Sequence, residues 1–476
     1  MSSITDAFRL AFAEGGTRTA IVSRKGSHVF RRSFAELHDD VQRMTAYLRA
    51  QGIRRGMRIL AFAPPSYDLC VSMIAALQTG APIMYADIWA KQDSLRRVFA
   101  DYRPDAVLVS GKTRFLRPFF REIGKIRHII RTDCYHGVPP SAEPADYPAE
   151  DSPALLTMTT GSTGSPKIAV RSHRDLLHQL ELIRQNMQAD SGETVLTTSY
   201  IYVFANILSG FTTVMPMLNL GRYSDAKLNR ILSLFRMEPV TMLLTSPDFC
   251  LRTNPVFPHL RQIYCGGAIL NLHEACIIRR KFRNAACTLI YGSTECSIIA
   301  AADLTDYIRT LKKTGKAMLG TPVEGVRVRL TEQGEILVTS AALLAHYLKH
   351  DSGKETDSSG TLWHHTGDIA ETGDGILYYR GKEGRFVTVS GKRIYSNEIE
   401  QKIIIQMPNL PKCAVLQSQG RVCVFLPEPV PEPAAIRRTL TSFGISGPAL
   451  YRIRKIPCDV KHHTKIDYHK LEASLT

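Results

Sequence analysis

The chain has 476 residues, 44% hydrophobic and 22% charged, the proportions of a globular protein long enough for two or three domains and far from a disordered or collagen-like composition. Its formal charge of +16 and pI near 9.4 raise a nucleic-acid reading, but the basic clusters are short and none is interleaved with aromatics, so nucleic acid is not an expected partner. The ten cysteines are scattered without a Cys-x-x-Cys pair, which argues against a disulfide framework or structural zinc and for a reducing, cytoplasmic setting.

The opening "MSSITDAFRLAFAEGG" lacks the basic segment of a secretory signal, and no run of about 18 apolar residues follows anywhere, so no transmembrane segment is expected. The first strong helical pattern is "SFAELHDDVQRMTAYLRAQGI", with Ser33 and Glu36 at capping-box spacing and Gly52 as the stop. "CVSMIAALQTGAPIMYA" from Cys70 reads as a core helix running into a buried strand. Short β-branched runs such as "MRILAFA", "DAVLVS" and "VTMLLTS" alternate with helices over the first 270 residues, the pattern of βαβ units and helix-covered sheets.

At 157–167 stands "TMTTGSTGSPK", with six hydroxyl side chains, two glycines and a lysine in eleven positions. Hydroxyls, backbone N–H groups freed by glycine and an ammonium are the donors suited to phosphate; a flexible Ser/Thr/Gly linker has the same composition. Pro166 stands where a Walker A loop has its second glycine, so this is not that motif. Next, "TSYIYVFANILSGFTTVMP" carries Tyr200, Tyr202 and Phe204 at alternating spacing, either a ligand tunnel or plain core. "YCGGAIL" places Gly266, Gly267 and Ala268 after a strand, and "YGSTECS" spans Tyr291 to Ser297. Cys296 there reads as packing rather than nucleophile, having no base beside it in sequence.

From about Thr321 the texture changes to strands joined by Gly turns, indicating an antiparallel subdomain. "WHHTGDIA" holds Asp368 after two histidines that, adjacent on a strand, point to opposite faces and form no metal pair. After Gly381, "RGKEGRFVTVSGKRIYSNEIE" begins a compact α+β tail, in which Ser396 or Asn397 would cap a helix. The tail from Arg385 carries fourteen Lys and Arg against seven Asp and Glu, a balance suited to an anionic substrate or an acidic partner protein. It closes on "IPCDVKHHTKIDYHKL".

These segments, in this order, resemble the adenylate-forming superfamily of acyl-CoA synthetases, non-ribosomal adenylation domains and luciferases. The resemblance implies an α/β fold: a large N-terminal domain (1–383) of helix-covered β-sheets plus a β-rich subdomain, and a small, mobile α+β C-terminal domain (384–476). It further implies that Thr159, Thr160, Gly161, Ser162, Thr163, Gly164 and Lys167 form the phosphate loop for ATP. Gly266, Gly267 and Ala268 would lie against the purine, Tyr291 would stack on adenine, and Thr294 would contact the α-phosphate. Glu295 would help hold Mg²⁺. Asp368 would accept the ribose hydroxyls, with Lys382 in the place of the family's usual Arg. Gly384 would be the hinge, the run Ser390–Ile394 the approach of pantetheine, and Lys465 the lysine that bridges the attacking carboxylate and the α-phosphate. Besides Lys382, two positions depart from the pattern: Gly384 stands where Asp or Lys is usual, and Thr464 where Gly usually precedes the lysine.

The implied reaction converts a small-molecule carboxylic acid to its acyl-adenylate with release of pyrophosphate. The acyl group then passes to a thiol, of CoA or of the phosphopantetheine of an acidic acyl carrier protein. Amino-acid-activating relatives carry Asp after the Phe of the 200s segment, whereas Phe204 is followed by Ala205; an ammonium buried there would lack a partner, so a fatty or other uncharged acid is expected. Parts of the sequence also resemble the olefin-pathway β-lactone synthetases, in which a β-hydroxy acid closes on its own adenylate without a thiol. That reading stands as the alternative.

Overall fold

The computed structural model describes residues 3–85, 92–111, 121–141, 148–160, 166–187, 189, 192–254, 257–344, 346–349, 353–407, 409–428, 433–459 and 464–475. The alternation of β-branched runs and amphipathic helices resolves into two large sheets with helices packed between and around them. Among the described residues one sheet has seven strands; its parallel part runs Pro153–Thr160, Ile83–Tyr85, Ile59–Phe62, Ala106–Val109, His128–Arg131. The other has fourteen strands, with a parallel part from Ala286–Ser293 through Gln262–Gly266, Met242–Thr245, Thr194–Thr197 and Thr212–Val214 to Thr19–Lys25. Strands buried on both faces read as continuous apolar runs, which is why "ILAF", "AVLV" and "MLLT" have no polar alternation.

The largest core lies between these sheets and includes the helices Ile4–Gly15, Phe34–Ala50, Tyr67–Gln78 and His173–Asn186. The capping box of the second is formed as expected: Glu36 N–H donates to Ser33 Oγ at 3.1 Å and Ser33 N–H to Glu36 at 2.7 Å. "CVSMIAALQ" is indeed a core helix, and Ile83–Tyr85 the strand after it.

The antiparallel strands expected from about Thr321 are present, and Ala317–Pro322, paired with Ser297–Asp303, joins them to the edge of the fourteen-stranded sheet. The aromatic segment at 200 is a helix, Tyr200–Leu208, with Ser199 at its N-cap. Spacing of two on a helix separates side chains by about 200°, so Tyr202 faces away from Tyr200 and Phe204. Phe204 is core, edge-on to Phe8 with centroids 5.5 Å apart. One local expectation is corrected, the cap of the helix at Ser396. The helix Ser396–Gln406 starts at Ser396 itself and is closed by Glu398, which accepts from Tyr395 N–H at 2.9 Å, rather than by Ser396 or Asn397.

Beyond Gly384, described strands pair only with one another: Phe386–Val389 with Lys392–Tyr395, and Ala414–Ser418 with Arg421–Pro427 and Ala449–Ile453. Their helices close a separate core around Val387, Ile399, Ile403, Val424 and Leu440.

Candidate active site

Ligands of open parallel sheets collect at the carboxyl ends of the strands, and the motif residues are found there. The antiparallel pair Pro153–Thr160 and Pro166–Ser172 places Thr159 opposite Lys167 and Thr160 opposite Pro166, which brings these three phosphate-loop candidates together at the ends of two paired strands. Gly161, Ser162, Thr163 and Gly164 lie outside the described residues. The Lys167 ammonium sits 5.4 Å from the centroid of the Tyr347 ring, and the Tyr347 hydroxyl donates to Glu295 Oε1. The expected phosphate lysine and the expected Mg²⁺ ligand are thereby gathered around one tyrosine, which sequence reasoning did not select.

Beneath them lies Arg171, buried to 6% exposure and also unmarked in the sequence reading. Its guanidinium donates from Nη2 to the Thr294 carbonyl at 2.9 Å, from Nη1 to Thr157 Oγ1 at 2.8 Å and from Nε to Gln179 Oε1 at 2.7 Å. Burial lowers its pKa to about 10, against the attraction of Glu295 and Asp175. A planar fork with fixed donor directions holds three separate elements at once: the strand that enters the phosphate hairpin, the helix His173–Asn186, and the Thr294–Glu295 turn. Leu344 N–H completes the turn by donating to the Glu295 carbonyl at 2.7 Å.

On the other side, Asp368 and Lys382 are direct cross-strand partners. Lys382 Nζ contacts Asp368 Oδ1 at 3.1 Å, and the Tyr291 hydroxyl donates to Oδ2 at 2.9 Å. Burial and then the Asp368 charge push the Tyr291 phenol well above its ordinary pKa, so it stays a donor. A carboxylate offers about four lone-pair sites, which leaves acceptor capacity on Asp368 for a pair of hydroxyls. Gly266 lies so close to the neighbouring strand that a Cβ there would stand 3.0 Å from the Ile290 carbonyl oxygen; Gly267 and Ala268 follow at the strand's carboxyl end.

Lys465 is reached through the bridge between Cys458 and Ile466 and the Asp459 N–H bond to the Lys465 carbonyl at 2.9 Å. Its side chain keeps an exposed face while being crowded by protein. The crowding lowers its pKa, the charges of Asp368, Asp459 and Glu295 oppose this, and Lys382 adds to it; the exposed face means that solvent screens the shift. The tail therefore sets Lys465 within the electrostatic reach of Asp368, Lys382 and Glu295. Lys470, by contrast, is exposed on the final helix and paired with Asp467. Gly384 has φ +75° with nothing within 4 Å of a would-be Cβ, and Ser390 and Gly391, at φ +49° and +76°, form a two-residue hairpin turn on the surface.

Tyr200 bonds Ser66 through its hydroxyl, 2.8 Å from the Ser66 nitrogen, and borders a small cavity of about 20 Å³ with Pro65, Thr197, Val203, Met215 and Leu218. Asn206 on the same helix is fully buried, and among the described residues neither its Nδ2 nor its Oδ1 has a hydrogen-bond partner. His364 is buried, whereas His365 turns outward to Glu335 and Glu355, as their adjacency on a strand requires. Among the described residues no cluster of His, Cys, Asp and Glu could hold a metal by itself, and no helix is long and apolar enough to cross a membrane.

Similarity to known proteins defines the class to which this chain belongs, the adenylate-forming enzymes. The chain belongs to the AMP-binding enzyme family, whose model matches residues 8–348. It is similar to the olefin β-lactone synthetase of Xanthomonas campestris pv. campestris, 25% identical over 92% of this chain and 90% of that protein. It is also similar to a feruloyl-CoA synthase of an Amycolatopsis species, 26% identical over 81% of this chain and 80% of that protein. Among solved structures, the amide bond synthetase McbA of Marinactinospora thermotolerans superposes with a TM-score of 0.83 over 99% of this chain and 100% of that one, at 17% identity. That likeness establishes the fold.

Proposed function

We propose that this enzyme activates an uncharged carboxylic acid, fatty or otherwise, as its acyl-adenylate and then transfers the acyl group to a thiol, of CoA or of a carrier protein. The observation that carries the first half is that Lys465 stands within the electrostatic reach of Asp368, Lys382 and Glu295, with Lys167 and Glu295 gathered around one tyrosine. An acid carboxylate oxygen attacks the α-phosphorus of ATP and forms a new P–O bond, and the bond to the β-phosphate oxygen breaks to release pyrophosphate. Phosphoryl transfer needs little covalent help, so catalysis rests on in-line positioning and on charge stabilisation. Lys167 and the hairpin hydroxyls would grip the leaving phosphates, Asp368 the ribose, and Lys465 the carboxylate and α-phosphate together. Glu295, a hard oxygen donor oriented by Tyr347, suits Mg²⁺, which would neutralise phosphate charge. Ala205, buried with no acidic side chain in its place, supports an acid without an ammonium.

For the second half-reaction Lys465 must leave, because it fills the space the acceptor enters. Rotation at Gly384, which already adopts a backbone angle that glycine alone takes easily, would withdraw it and bring in the Ser390–Gly391 turn. A second reading, lactone closure by a β-hydroxy acid, is favoured by Asn206: a buried primary amide without partners is costly, and a substrate hydroxyl would satisfy it. The end-to-end similarity to a β-lactone synthetase supports the same reading. Pyrophosphate release measured with fatty, β-hydroxy and aryl acids, with and without CoA, followed by mass spectrometry, decides between them. A CoA-dependent thioester supports the thiol reading; AMP and a lactone formed without thiol replace it with the second.

A further inference from the structure

The segment that follows the Gly266–Ala268 turn is gripped by the C-terminal unit at three points. Gln401 Nε2 donates to the Leu270 carbonyl at 3.3 Å, Asn271 Nδ2 donates to the Pro411 carbonyl at 3.0 Å, and Lys412 Nζ meets Glu274 Oε1 at 2.9 Å. Both partners of the ion pair are largely buried, at 17% and 10% side-chain exposure. The same ammonium donates to the carbonyl of Thr464 at 2.6 Å, and Thr464 is the residue immediately before Lys465. Glu274 is itself anchored, accepting from Asn271 N–H at 3.1 Å in the capping box of the helix Leu272–Lys281. One lysine therefore touches a fixed carboxylate of the large unit and the backbone that carries the lysine of the site.

We propose that Lys412 is a positioning residue: its ion pair with Glu274 latches the C-terminal unit in the adenylate-forming arrangement, and its bond to the Thr464 carbonyl sets Lys465 in the cleft while the latch is closed. The inference rests on the proposed adenylation chemistry for its kinetic consequence but not for its structural one. Burial alone would lower the Lys412 pKa, yet its surroundings, Glu274 foremost, raise it overall, so the ammonium keeps its proton at neutral pH. A half-buried pair at a junction holds one geometry only while both partners are present, because either charge left alone in low dielectric is unfavourable. Losing one partner therefore shifts the population toward arrangements in which the other is hydrated. Gln401 Oε1, buried without a partner among the described residues, marks the junction as one whose polar groups are not fully satisfied when closed.

The test compares Glu274→Gln and Lys412→Met in the full-length protein. Glu274→Gln keeps an acceptor for Asn271 N–H and removes only the charge facing Lys412; Lys412→Met removes the latch and the Thr464 contact together. Hydrogen–deuterium exchange of the amides at 383–386 reads the hinge without turnover, and is expected to quicken at least threefold in both variants at an unchanged melting temperature. In pyrophosphate release, kcat is expected to fall about tenfold in Glu274→Gln and further in Lys412→Met, with the KM for ATP changed less than threefold. Unchanged hinge exchange in both variants overturns the latch, whatever the activity of the parent enzyme. Quickened exchange with parental kcat in Lys412→Met overturns the positioning of Lys465. A parent that exchanges as expected but releases no pyrophosphate with any acid leaves the latch standing and counts against the adenylation reading instead.

Discussion

Replacing Arg171 with Met tests whether the phosphate hairpin and the Thr294–Glu295 turn are held together by one buried fork. The substitution is close in length and apolar, so the cavity is small and the loss lies in polar contacts. Three acceptors, the Thr294 carbonyl, Thr157 Oγ1 and Gln179 Oε1, lose donors at 2.9, 2.8 and 2.7 Å. Each buried acceptor left unpaired costs about 1–3 kcal/mol. Against this, removing a desolvated cation whose pKa burial has lowered to about 10 returns part of the cost. The net expectation is roughly 2–4 kcal/mol of lost stability. Because the lost contacts end on the turn that carries Glu295, the KM for ATP should rise more than tenfold. Urea denaturation gives the first number and steady-state pyrophosphate release the second. Arg171→Lys, which keeps charge but not the fork, should recover stability more than it recovers KM. A stable Arg171→Met protein with parental KM would refute the argument that this side chain orders the site.

Lys465→Ala should reduce adenylate formation by a factor on the order of 10²–10³, the usual effect of losing one transition-state donor, while acyl transfer from a supplied acyl-adenylate persists; equal loss of both half-reactions rejects the assignment. Glu400 is buried, and burial raises its pKa from 4.5 to about 7 despite bonds from the Tyr468 hydroxyl and Val415 N–H. A carboxyl whose folded pKa is raised stabilises the fold fully below its unfolded pKa and loses that contribution as pH climbs from about 4.5 to 7. Glu400→Gln should therefore stabilise the protein at pH 8, by up to roughly 3 kcal/mol, and hardly at pH 4.5; a gain independent of pH contradicts this. Gly384→Ala meets no atom within 4 Å but must hold φ +75°, so it should cost about 1 kcal/mol and slow acyl transfer more than adenylation. Comparable slowing of the two steps counts against Gly384 as the hinge.

Much of the site was legible in the sequence because its donors sit in short runs whose chemistry is local. Lys167 beside a hydroxyl-rich loop, Glu295 after Tyr-Gly-Ser-Thr and Asp368 between strand residues are each marked by their immediate neighbours. Lys465 was selected over Lys461 and Lys470 from its flanking pattern alone; in the fold it feels the charges of Asp368 and Glu295, while Lys470 is exposed and paired with Asp467. The aromatics at Tyr200, Tyr202 and Phe204 left tunnel and core both open, because a spacing of two does not tell which face packs inward, and the fold places Phe204 in the core. Arg171 and Tyr347 carried no signal, because the residues they serve are 123 and 52 positions away in sequence.

By itself the sequence determined the periodicities, caps and glycine turns, hence the helices, the strands and the order in which the motif residues arrive. Those are properties of neighbouring residues and of burial averaged over a segment. Only the tertiary structure decided that Asp368 lies opposite Lys382, that Tyr291 donates to the same carboxylate, and that Lys412 joins Glu274 to the backbone before Lys465. Strand register and the docking of one unit on another come from the packing of distant faces, and a charged side chain becomes structural only when that packing removes it from water.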